Sequence, residues 1–184
     1  MKRTRAESFR LTALYAGLLS LALLSSPQRP TVFFGATFVL IGAAVRLWAA
    51  GHLIKTRELI TSGPYRFTRN PLYLGRLLIF TGFALMAWIN VIASLGVLVV
   101  GWAVFFGYYL PRKERIEPTR LAAIHGERYR DYFRSVPALF PTCRPWPADE
   151  RSWSLRRLHR NREVLTLLGL VGMMAFFLYK SANG

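Results

Sequence analysis

The feature that most constrains the fold of this chain is a series of five apolar runs separated by basic segments. Hydrophobic residues make up 53% of the 184 residues and charged residues only 18%, and the two classes are segregated along the chain. At about 1.5 Å of rise per residue, the three central runs reach or approach the length needed to cross about 30 Å of hydrocarbon as helices, and the outer two are marginal. The sequence therefore predicts an all-α fold, a polytopic membrane helical bundle of about five transmembrane helices. The runs cover residues 11–25, 32–53, 72–89, 91–110 and 164–179.

The placement of Lys and Arg predicts how this bundle is oriented. The chain has 25 Lys and Arg against 9 Asp and Glu, a formal net charge of +16, and most of the basic residues fall within residues 2–10, 55–69 and 111–163. Loops on the cytoplasmic side of a membrane carry the excess of positive charge. With five spans and a cytoplasmic N-terminus, all three segments lie on that side, where they also attract anionic lipid headgroups. We therefore expect a membrane partner and no nucleic-acid partner.

The simplest organisation is one integral membrane domain over residues 1–184. No clear signal-peptide cleavage site follows the first run, so we expect it to remain as a helix. Cys143 is the one cysteine, which excludes an internal disulfide, and the three histidines lack metal-ligand spacing, so no metal site is predicted. The expected parts are an N-terminal span with the start of the second (1–39), a core (40–141), a basic cytoplasmic linker (142–163) and a C-terminal span (164–184).

A polar, turn-forming segment, Gly-Pro-Tyr-Arg-Phe-Thr-Arg-Asn-Pro-Leu-Tyr-Leu-Gly at residues 63–75, leads directly into the third apolar run. Asn70 followed by Pro71 is typical of a helix start, because asparagine accepts a free backbone N–H and proline needs no donor in the first turn. A helix is therefore predicted to begin at about Pro71. The short turn at 89–90 makes the third and fourth runs a hairpin, which brings residues 69–75 beside 108–117. After Pro118, an amphipathic helix over 119–133 is expected to fold back as a lid.

Two motifs together resemble those of a known family. Residues 63–75 are similar to its first signature, Gly-Pro-Tyr-x-x-x-Arg-His-Pro-x-Tyr-x-Gly. Residues 117–132 are similar to its second, Glu-Glu-x-x-Leu-x-x-x-Phe-Gly-x-x-Tyr-x-x-Tyr, which is followed by Val-Pro and a closing Pro as in residues 136–141. Over about residues 40–141, the chain thus resembles the superfamily of isoprenylcysteine carboxyl methyltransferases and phospholipid methyltransferases.

The chain departs from the family pattern at three positions. Asn70 stands where the family usually has His, Pro118 replaces the second Glu of the acidic pair, and His125 replaces Phe. Glu114, one helical turn before Glu117, is the nearest substitute for the missing acid. An amide at position 70 keeps hydrogen bonding but cannot carry a proton, which favours either an acceptor that needs no general base or a family His that binds rather than acts as a base.

The resemblance implies a methyltransferase that uses S-adenosylmethionine and acts on a lipid or lipidated small molecule, with the active site facing the cytoplasm. The acceptor would be a carboxylate, as in isoprenylcysteine, or a phospholipid amine. Arg69 and Glu117 are the expected catalytic residues. The expected cofactor-binding residues are Tyr65, Asn70, Pro71, Leu72, Tyr73, Gly75, Glu117, Gly126, Tyr129 and Tyr132.

Alternatives remain open from the sequence. The altered acidic pair and the His-to-Asn change are also compatible with a non-catalytic membrane protein that retains the fold, and a loose similarity to sterol reductases suggests a nicotinamide-dependent membrane reductase. Arg46 and Arg76 lie inside apolar runs. Their side chains either extend to the headgroups or pair with Glu58, Glu114 or Glu117 around the site. The oligomeric state is not indicated.

Overall fold

The computed structural model describes residues 20, 22–54 and 58–183, with only the backbone described at 117–120. Across these residues the protein is helical and has no strand, which confirms the predicted all-α class. A single turn of 3₁₀-helix, Gly63–Arg66, precedes the second of six helices. These are α1 (Arg29–His52), α2 (Pro71–Met86), α3 (Val91–Val104), α4 (Leu110–Ser135), α5 (Leu155–Arg160) and α6 (Glu163–Asn183).

Three described stretches are long and apolar enough to cross a membrane: Arg29–His52, Val91–Ile116 and Glu163–Asn183. They correspond to the second, fourth and fifth predicted spans. The third span is the shorter apolar helix Pro71–Met86, whose 16 residues reach about 24 Å. Most of the first predicted span lies outside the described residues, although residues 20 and 22–24 are helical.

Helices α1 and α2 form an antiparallel pair whose backbones touch at two levels. Gly35 lies against Gly82, and Gly42 lies against Gly75, one position per heptad on each helix. A Cβ atom added to Gly75 would lie 2.8 Å from the Gly42 carbonyl oxygen and 2.5 Å from Cγ of Arg46. Small residues are what allow membrane helices to approach this closely. The start of α2, which carries the first motif, is therefore held directly against α1.

A buried ion pair attaches the C-terminal helix to this pair. The Arg46 guanidinium donates from Nη2 to Oε1 of Glu163 at 2.5 Å and from Nε to Oε2 at 3.1 Å, and each side chain is 7% exposed. The sequence offered headgroup contact or pairing with Glu58, Glu114 or Glu117, and for Arg46 both expectations are wrong. Burying a charge is tolerated when a carboxylate pairs with it through two hydrogen bonds.

At the other end of the bundle, α6 meets the last residues of the first apolar run. The Lys180 ammonium donates to the carbonyl oxygens of Ala22 and Leu23 at 2.9 and 2.8 Å. The Ser26 N–H donates to the carbonyl oxygen of Trp88, just before the turn between α2 and α3, at 2.7 Å. The segment just before α1, the turn between α2 and α3 and the end of α6 thus lie at one end of the bundle, as a five-span topology requires.

Helices α3 and α4 are joined by a π-helical turn, Phe105–Tyr109, and form one long helical stretch. The expected lid helix over 119–133 is wrong in its start, because α4 continues through position 118. The helical path is interrupted instead at Gly126, where φ is 56° and ψ is −132°. Glycine adopts this left-handed φ without the penalty that a Cβ would impose. The break redirects residues 127–135 towards the start of α2.

Residues 136–154 are not helical, and they run along the segment that precedes α2. The N–H groups of Thr142 and Trp146 donate to the carbonyl oxygens of Phe67 and Arg66 at 2.9 and 3.0 Å. The Thr61 N–H donates to Oδ2 of Asp149 at 2.9 Å. Within the predicted linker 142–163, α5 is a short helix next to the end of α1. This packing gives the polar segments at the start of α2 a fixed position.

Candidate active site

The first residue of the site, Asn70, lies at the N-cap of α2, and α2 begins at Pro71 as the sequence predicts. The expected capping bond is wrong, because the Asn70 side chain accepts no backbone N–H at this helix start. Its amide nitrogen donates instead to Oε1 of Glu114 at 2.6 Å and to the carbonyl oxygen of Ala138 at 2.8 Å. A charged acceptor makes the stronger bond, so the carboxylate determines the side-chain orientation.

Arg69 binds the same carboxylate through its guanidinium group. Nη2 donates to Oε2 of Glu114 at 2.6 Å, and Nη1 donates to the carbonyl oxygen of Phe133 at 3.1 Å. The guanidinium carbon also lies 3.5 Å from the centroid of the Phe133 ring. The remaining donor, Nε, is buried and has no hydrogen-bond partner among the residues that the structure describes.

Glu114 is therefore the acid that joins the two motifs. Each of its oxygens accepts one short hydrogen bond, from Arg69 on one side and from Asn70 on the other. This is the substitute acid that the sequence suggested when Pro118 replaced the second Glu. The side chain of Glu117, the predicted catalytic acid, lies outside the described residues. We call the three side chains Arg69, Asn70 and Glu114 the polar triad.

Tyr73, one turn into α2, lies beside the triad and faces the stretch formed by α3 and α4. Its ring centroid is 6.2 Å from that of Phe105. Two cations lie over the same ring: the guanidinium carbon of Arg76 at 5.3 Å and Nζ of Lys113 at 5.2 Å from the centroid. Tyr73 is half-buried, whereas Arg76 is exposed. We call Tyr73, Phe105, Arg76 and Lys113 the cation–aromatic cluster.

Other predicted cofactor residues face α1 instead. Pro71 is fully buried, and Leu72 packs against a small core formed by Ala49, Ile60 and Tyr65. Gly75 is in backbone contact with α1. The structure thus divides the start of α2 into a face that packs against α1 and a face that carries the triad and the cation–aromatic cluster.

The three predicted tyrosines are buried and connect the two motifs. Tyr65, Tyr129 and Tyr132 are 8%, 5% and 3% exposed, and the Tyr132 hydroxyl donates to the Tyr65 carbonyl oxygen at 2.7 Å. This bond ties the second motif to the first across the break at Gly126. In this arrangement the tyrosines hold the two motifs together, and their direct contact with a cofactor stays a prediction.

Backbone groups that sequence reasoning missed complete the site. The carbonyl oxygens of Phe133 and Ala138 accept from Arg69 and Asn70, and the Arg69 N–H donates to the carbonyl oxygen of Pro137 at 2.9 Å. Pro137 belongs to the Val-Pro that follows the second motif, so the sequence marked its position but not the role of its carbonyl oxygen. The residue identities at 133 and 138 carry no such signal.

Asp149, also missed, fixes the segment that leads into the site. Burial on its own raises the pKa of this carboxyl. The pKa nevertheless lies below its ordinary value of 3.8, because the carboxyl accepts hydrogen bonds from the backbone N–H groups of Thr61 and Arg151 and from the Ser62 hydroxyl, and the Arg151 charge is nearby. Hydrogen bonds to the charged form have this effect. The carboxylate is therefore ionised near neutral pH and anchors residues 61–62.

Comparison with known proteins identifies similar sequences. Residues 43–110 match a family model described as phospholipid methyltransferase. The chain is 30% identical over 130 residues to the cobalt-zinc-cadmium resistance protein CzcN of Cupriavidus metallidurans, covering 70% of this chain and 56% of that protein. It is 36% identical over 77 residues to a methanethiol S-methyltransferase of Crocosphaera subtropica, covering 42% of this chain and 27% of that protein.

A third relative is the nickel-cobalt-cadmium resistance protein NccN of Alcaligenes xylosoxydans xylosoxydans, 32% identical over 109 residues, with 58% of this chain and 46% of that protein covered. The chain therefore spans from about a quarter to just over half of the length of these relatives. No solved structure matches it. Within the described part of the chain, no group of three or more His, Cys, Asp or Glu residues is arranged to hold a metal ion.

Proposed function

This chain belongs to the superfamily of membrane methyltransferases, and from that premise we propose that it transfers the methyl group of S-adenosylmethionine to an acceptor that arrives from the bilayer. The observation that carries the proposal is the polar triad. Arg69 and Asn70 come from the first motif and Glu114 from the helix leading into the second, and the three side chains meet at the start of α2, whose exposed face carries Arg76 one to two turns further on. The proposal places this end of the bundle at the cytoplasmic face, where the basic segments lie.

The residues of the site fit this cofactor. Its amino-acid portion has a carboxylate, and the buried Nε of Arg69 is a donor without an acceptor among the described residues. An unsatisfied buried donor is costly, so a carboxylate bound there would relieve that cost. Its adenine needs a flat apolar surface, and the half-buried ring of Tyr73 lies on the same side of α2. We propose that Arg69 and Tyr73 hold the cofactor, with Glu114 and Asn70 positioning Arg69.

The chemistry demanded of the protein is modest. When bound, the cofactor supplies an electrophilic methyl group on a sulfonium that is already a good leaving group. The protein must therefore orient the acceptor and exclude water, and positioning of this kind supplies much of the rate in such displacements. Asn70 cannot carry a proton, and the Glu114 carboxylate is occupied by two donors. The triad thus acts as a rigid binding element in the proposed mechanism.

Calorimetric titration of S-adenosylmethionine and S-adenosylhomocysteine into detergent-purified protein tests the proposal. Wild-type protein should bind both ligands, and Arg69→Ala and Glu114→Ala should weaken binding. Glu127→Ala is the matched control, because Glu127 also pairs with an arginine on α4 but is 71% exposed. Absence of binding by folded wild-type protein would refute the proposal.

A second candidate is a membrane protein that keeps this fold without catalysis. It is favoured by one observation: the oxygens of Glu114 are already engaged by Arg69 and Asn70, as a purely structural cluster would be. This candidate predicts no cofactor binding and no turnover, with a loss of stability in Glu114→Ala. The same titration, combined with an unfolding measurement, distinguishes it from the methyltransferase.

A further inference from the structure

The short helix α5 and its flanks contain more arginine than the protein itself pairs. Residues 151–162 include five arginines and no acidic residue. Two of them are engaged within the protein, because Arg151 pairs with a carboxylate and Arg157 donates to backbone carbonyl oxygens. Within the described part of the chain, the other three are exposed and form no ion pair. We call these three the arginine patch: Arg156, Arg160 and Arg162.

Contacts between α5 and the end of α1 place the patch relative to the bilayer. Helix α1 is long and apolar enough to cross a membrane, so its last residues lie near the headgroups. The Ser154 N–H donates to the carbonyl oxygen of Gly51 at 3.0 Å, and the Asn161 amide donates to that of Ala50 at 2.9 Å. Trp153, just before α5, is 45% exposed, and tryptophan is typical of the membrane interface. The patch therefore lies at headgroup level.

Each arginine of the patch occupies a position that carries a cost when no anion is present. Arg156 is in the first turn of α5, where the positive end of the helix repels a cation. The last turn favours Arg160, but this residue follows Arg156 by four positions, so two like charges share one helix face. Arg162 comes directly after the C-cap Asn161, where glycine is the usual residue, and its φ is 59°. An anion beside α5 would offset the two repulsions and would account for a cationic side chain at 162.

An anionic phospholipid fits this surface in both of its parts. Guanidinium groups bind phosphate oxygens through paired, charge-assisted hydrogen bonds. Leu155 is 57% exposed next to the patch and, with Trp153, offers apolar surface to the upper part of an acyl chain. We propose that α5 and Arg162 form a binding site for an anionic phospholipid, whose phosphate the arginine patch contacts. The site shares no residue with the polar triad, and it does not depend on the proposed methyl transfer.

A lipid bound at this site also stabilises the connection between α5 and α6. Glu163 follows Arg162 directly, and its carboxylate makes the buried ion pair with Arg46 of α1. A headgroup that holds Arg162 therefore fixes the start of α6 beside α1. Ligands that bind only the folded state raise its stability, so the melting temperature should rise when the lipid is added.

Native mass spectrometry of the full chain in detergent tests the inference. The protein is titrated separately with dioleoyl phosphatidylglycerol and dioleoyl phosphatidylcholine, which have the same tails and differ in net charge. We expect a saturable site that binds phosphatidylglycerol about tenfold or more tightly than phosphatidylcholine. Phosphatidylglycerol should also raise the melting temperature, followed by circular dichroism, more than phosphatidylcholine does. Equal affinity for the two lipids would overturn the inference.

Two triple variants distinguish the patch from a general effect of positive charge. Replacing all three patch arginines by glutamine should lower the affinity for phosphatidylglycerol about a hundredfold, since each arginine near a charged surface contributes about fivefold. The affinity for phosphatidylcholine should be unchanged. The matched control removes the same charge from exposed arginines outside α5, and it should bind like wild type: Arg128→Gln, Arg134→Gln and Arg144→Gln. Equal losses in the two triple variants would refute a site at α5.

Two substitutions at Arg162 separate lipid binding from backbone strain. Arg162→Gly removes the cation and relieves the left-handed φ, so it should raise the melting temperature of the lipid-free protein and weaken phosphatidylglycerol binding about fivefold. Arg162→Gln removes the cation but keeps the strain, so it should weaken binding equally without raising the melting temperature. An Arg162→Gly variant that binds phosphatidylglycerol like wild type would contradict the proposed role of Arg162.

Discussion

The Glu114→Ala substitution gives the sharpest test of the polar triad, because this one carboxylate joins three parts of the chain. It lies on α4, and it accepts from Arg69 and Asn70 in the segment that begins α2. Those two residues in turn donate to carbonyl oxygens in residues 133–138. Removing the carboxylate leaves two donors without their charged acceptor, whereas removing a surface carboxylate leaves donors that water can satisfy.

The size of the effect follows from the two bonds. Both are 2.6 Å long, and hydrogen bonds to a charged group contribute about 1.5–3 kcal/mol each. The side chain of Glu114 is 22% exposed and that of Arg69 is 12% exposed, so water replaces part of what is lost. We therefore take the lower value of about 1.5 kcal/mol for each of the two bonds. The free energy of unfolding should then fall by about 3 kcal/mol, which changes the folded-to-unfolded ratio roughly a hundredfold.

Glu127→Ala is the matched comparison, since both substitutions replace a glutamate of α4 that pairs with an arginine. Glu127 is 71% exposed, and its partner Arg130 lies one turn away on the same helix. An exposed pair of this kind contributes no more than about 0.5 kcal/mol. Both substitutions remove the same side-chain atoms, so a large difference between the variants reports the environment of the carboxylate.

The assay is unfolding by titration with sodium dodecyl sulfate in mixed micelles, followed by circular dichroism. Calorimetry with S-adenosylmethionine on the same samples shows whether positioning of Arg69 also matters for binding. Equal midpoints for Glu114→Ala and Glu127→Ala would show that the triad does not connect α2 to α4, and the reasoning about the site would be wrong.

Three further predictions concern the framework around the site. Arg46→Met and Glu163→Met should each lower the free energy of unfolding by about 3–5 kcal/mol, because each single variant leaves a buried charge unpaired. The double variant leaves no such charge and should return close to wild type. Additive losses in detergent unfolding would contradict this prediction. Gly75→Ala should lower the melting temperature, because its Cβ would lie 2.5 Å from a side chain of α1. Gly96→Ala is the control, since a Cβ there meets nothing within 4 Å and should leave the melting temperature unchanged. Equal shifts of the melting temperature in the two variants would refute the close contact. Asp149→Asn should destabilise the protein at pH 7. Because the pKa of the folded Asp149 carboxyl lies below the ordinary 3.8, the stability difference from wild type should persist above about pH 4 and vanish as the pH falls through the lowered pKa. A stability difference that does not depend on pH would exclude an ionised carboxylate.

The helices could be predicted from the sequence because their causes are local. Apolar length alone indicates α1, the stretch from α3 into α4, and α6, and the start of α2 at Pro71 follows from proline's fit to a first helical turn. The exception is the lid. Pro118 suggested a helix start there, but the helix continues through this position and the chain turns instead where Gly126 takes a positive φ.

The sequence located several residues that the structure brings together at the candidate site, but it did not predict their contacts. The motif placed Arg69 and Asn70 correctly at the start of α2, and the missing second acid pointed to Glu114. Asn70 was expected to cap the helix, and nothing local shows that a carboxylate 44 positions away would take its amide. The partner of Arg46 was equally hidden, because Glu163 is 117 positions away and the approach of α6 depends on packing across the whole bundle.

The two faces of α2 differ in what they allow the site to do. On the face towards α1, the contact at Gly75 is between backbones, and a buried ion pair lies next to it, so this face has no room to adjust. On the opposite face, the Tyr73 ring contacts Phe105 and Lys113 through side chains, and the helical path of α4 is interrupted at Gly126. Any movement that admits a cofactor or an acceptor must therefore occur on the side of α4. Gly126→Ala would strain the left-handed φ at this break, so it should impair binding of S-adenosylmethionine more than a substitution that perturbs α1, and equal binding by wild type and Gly126→Ala would refute a role for this break.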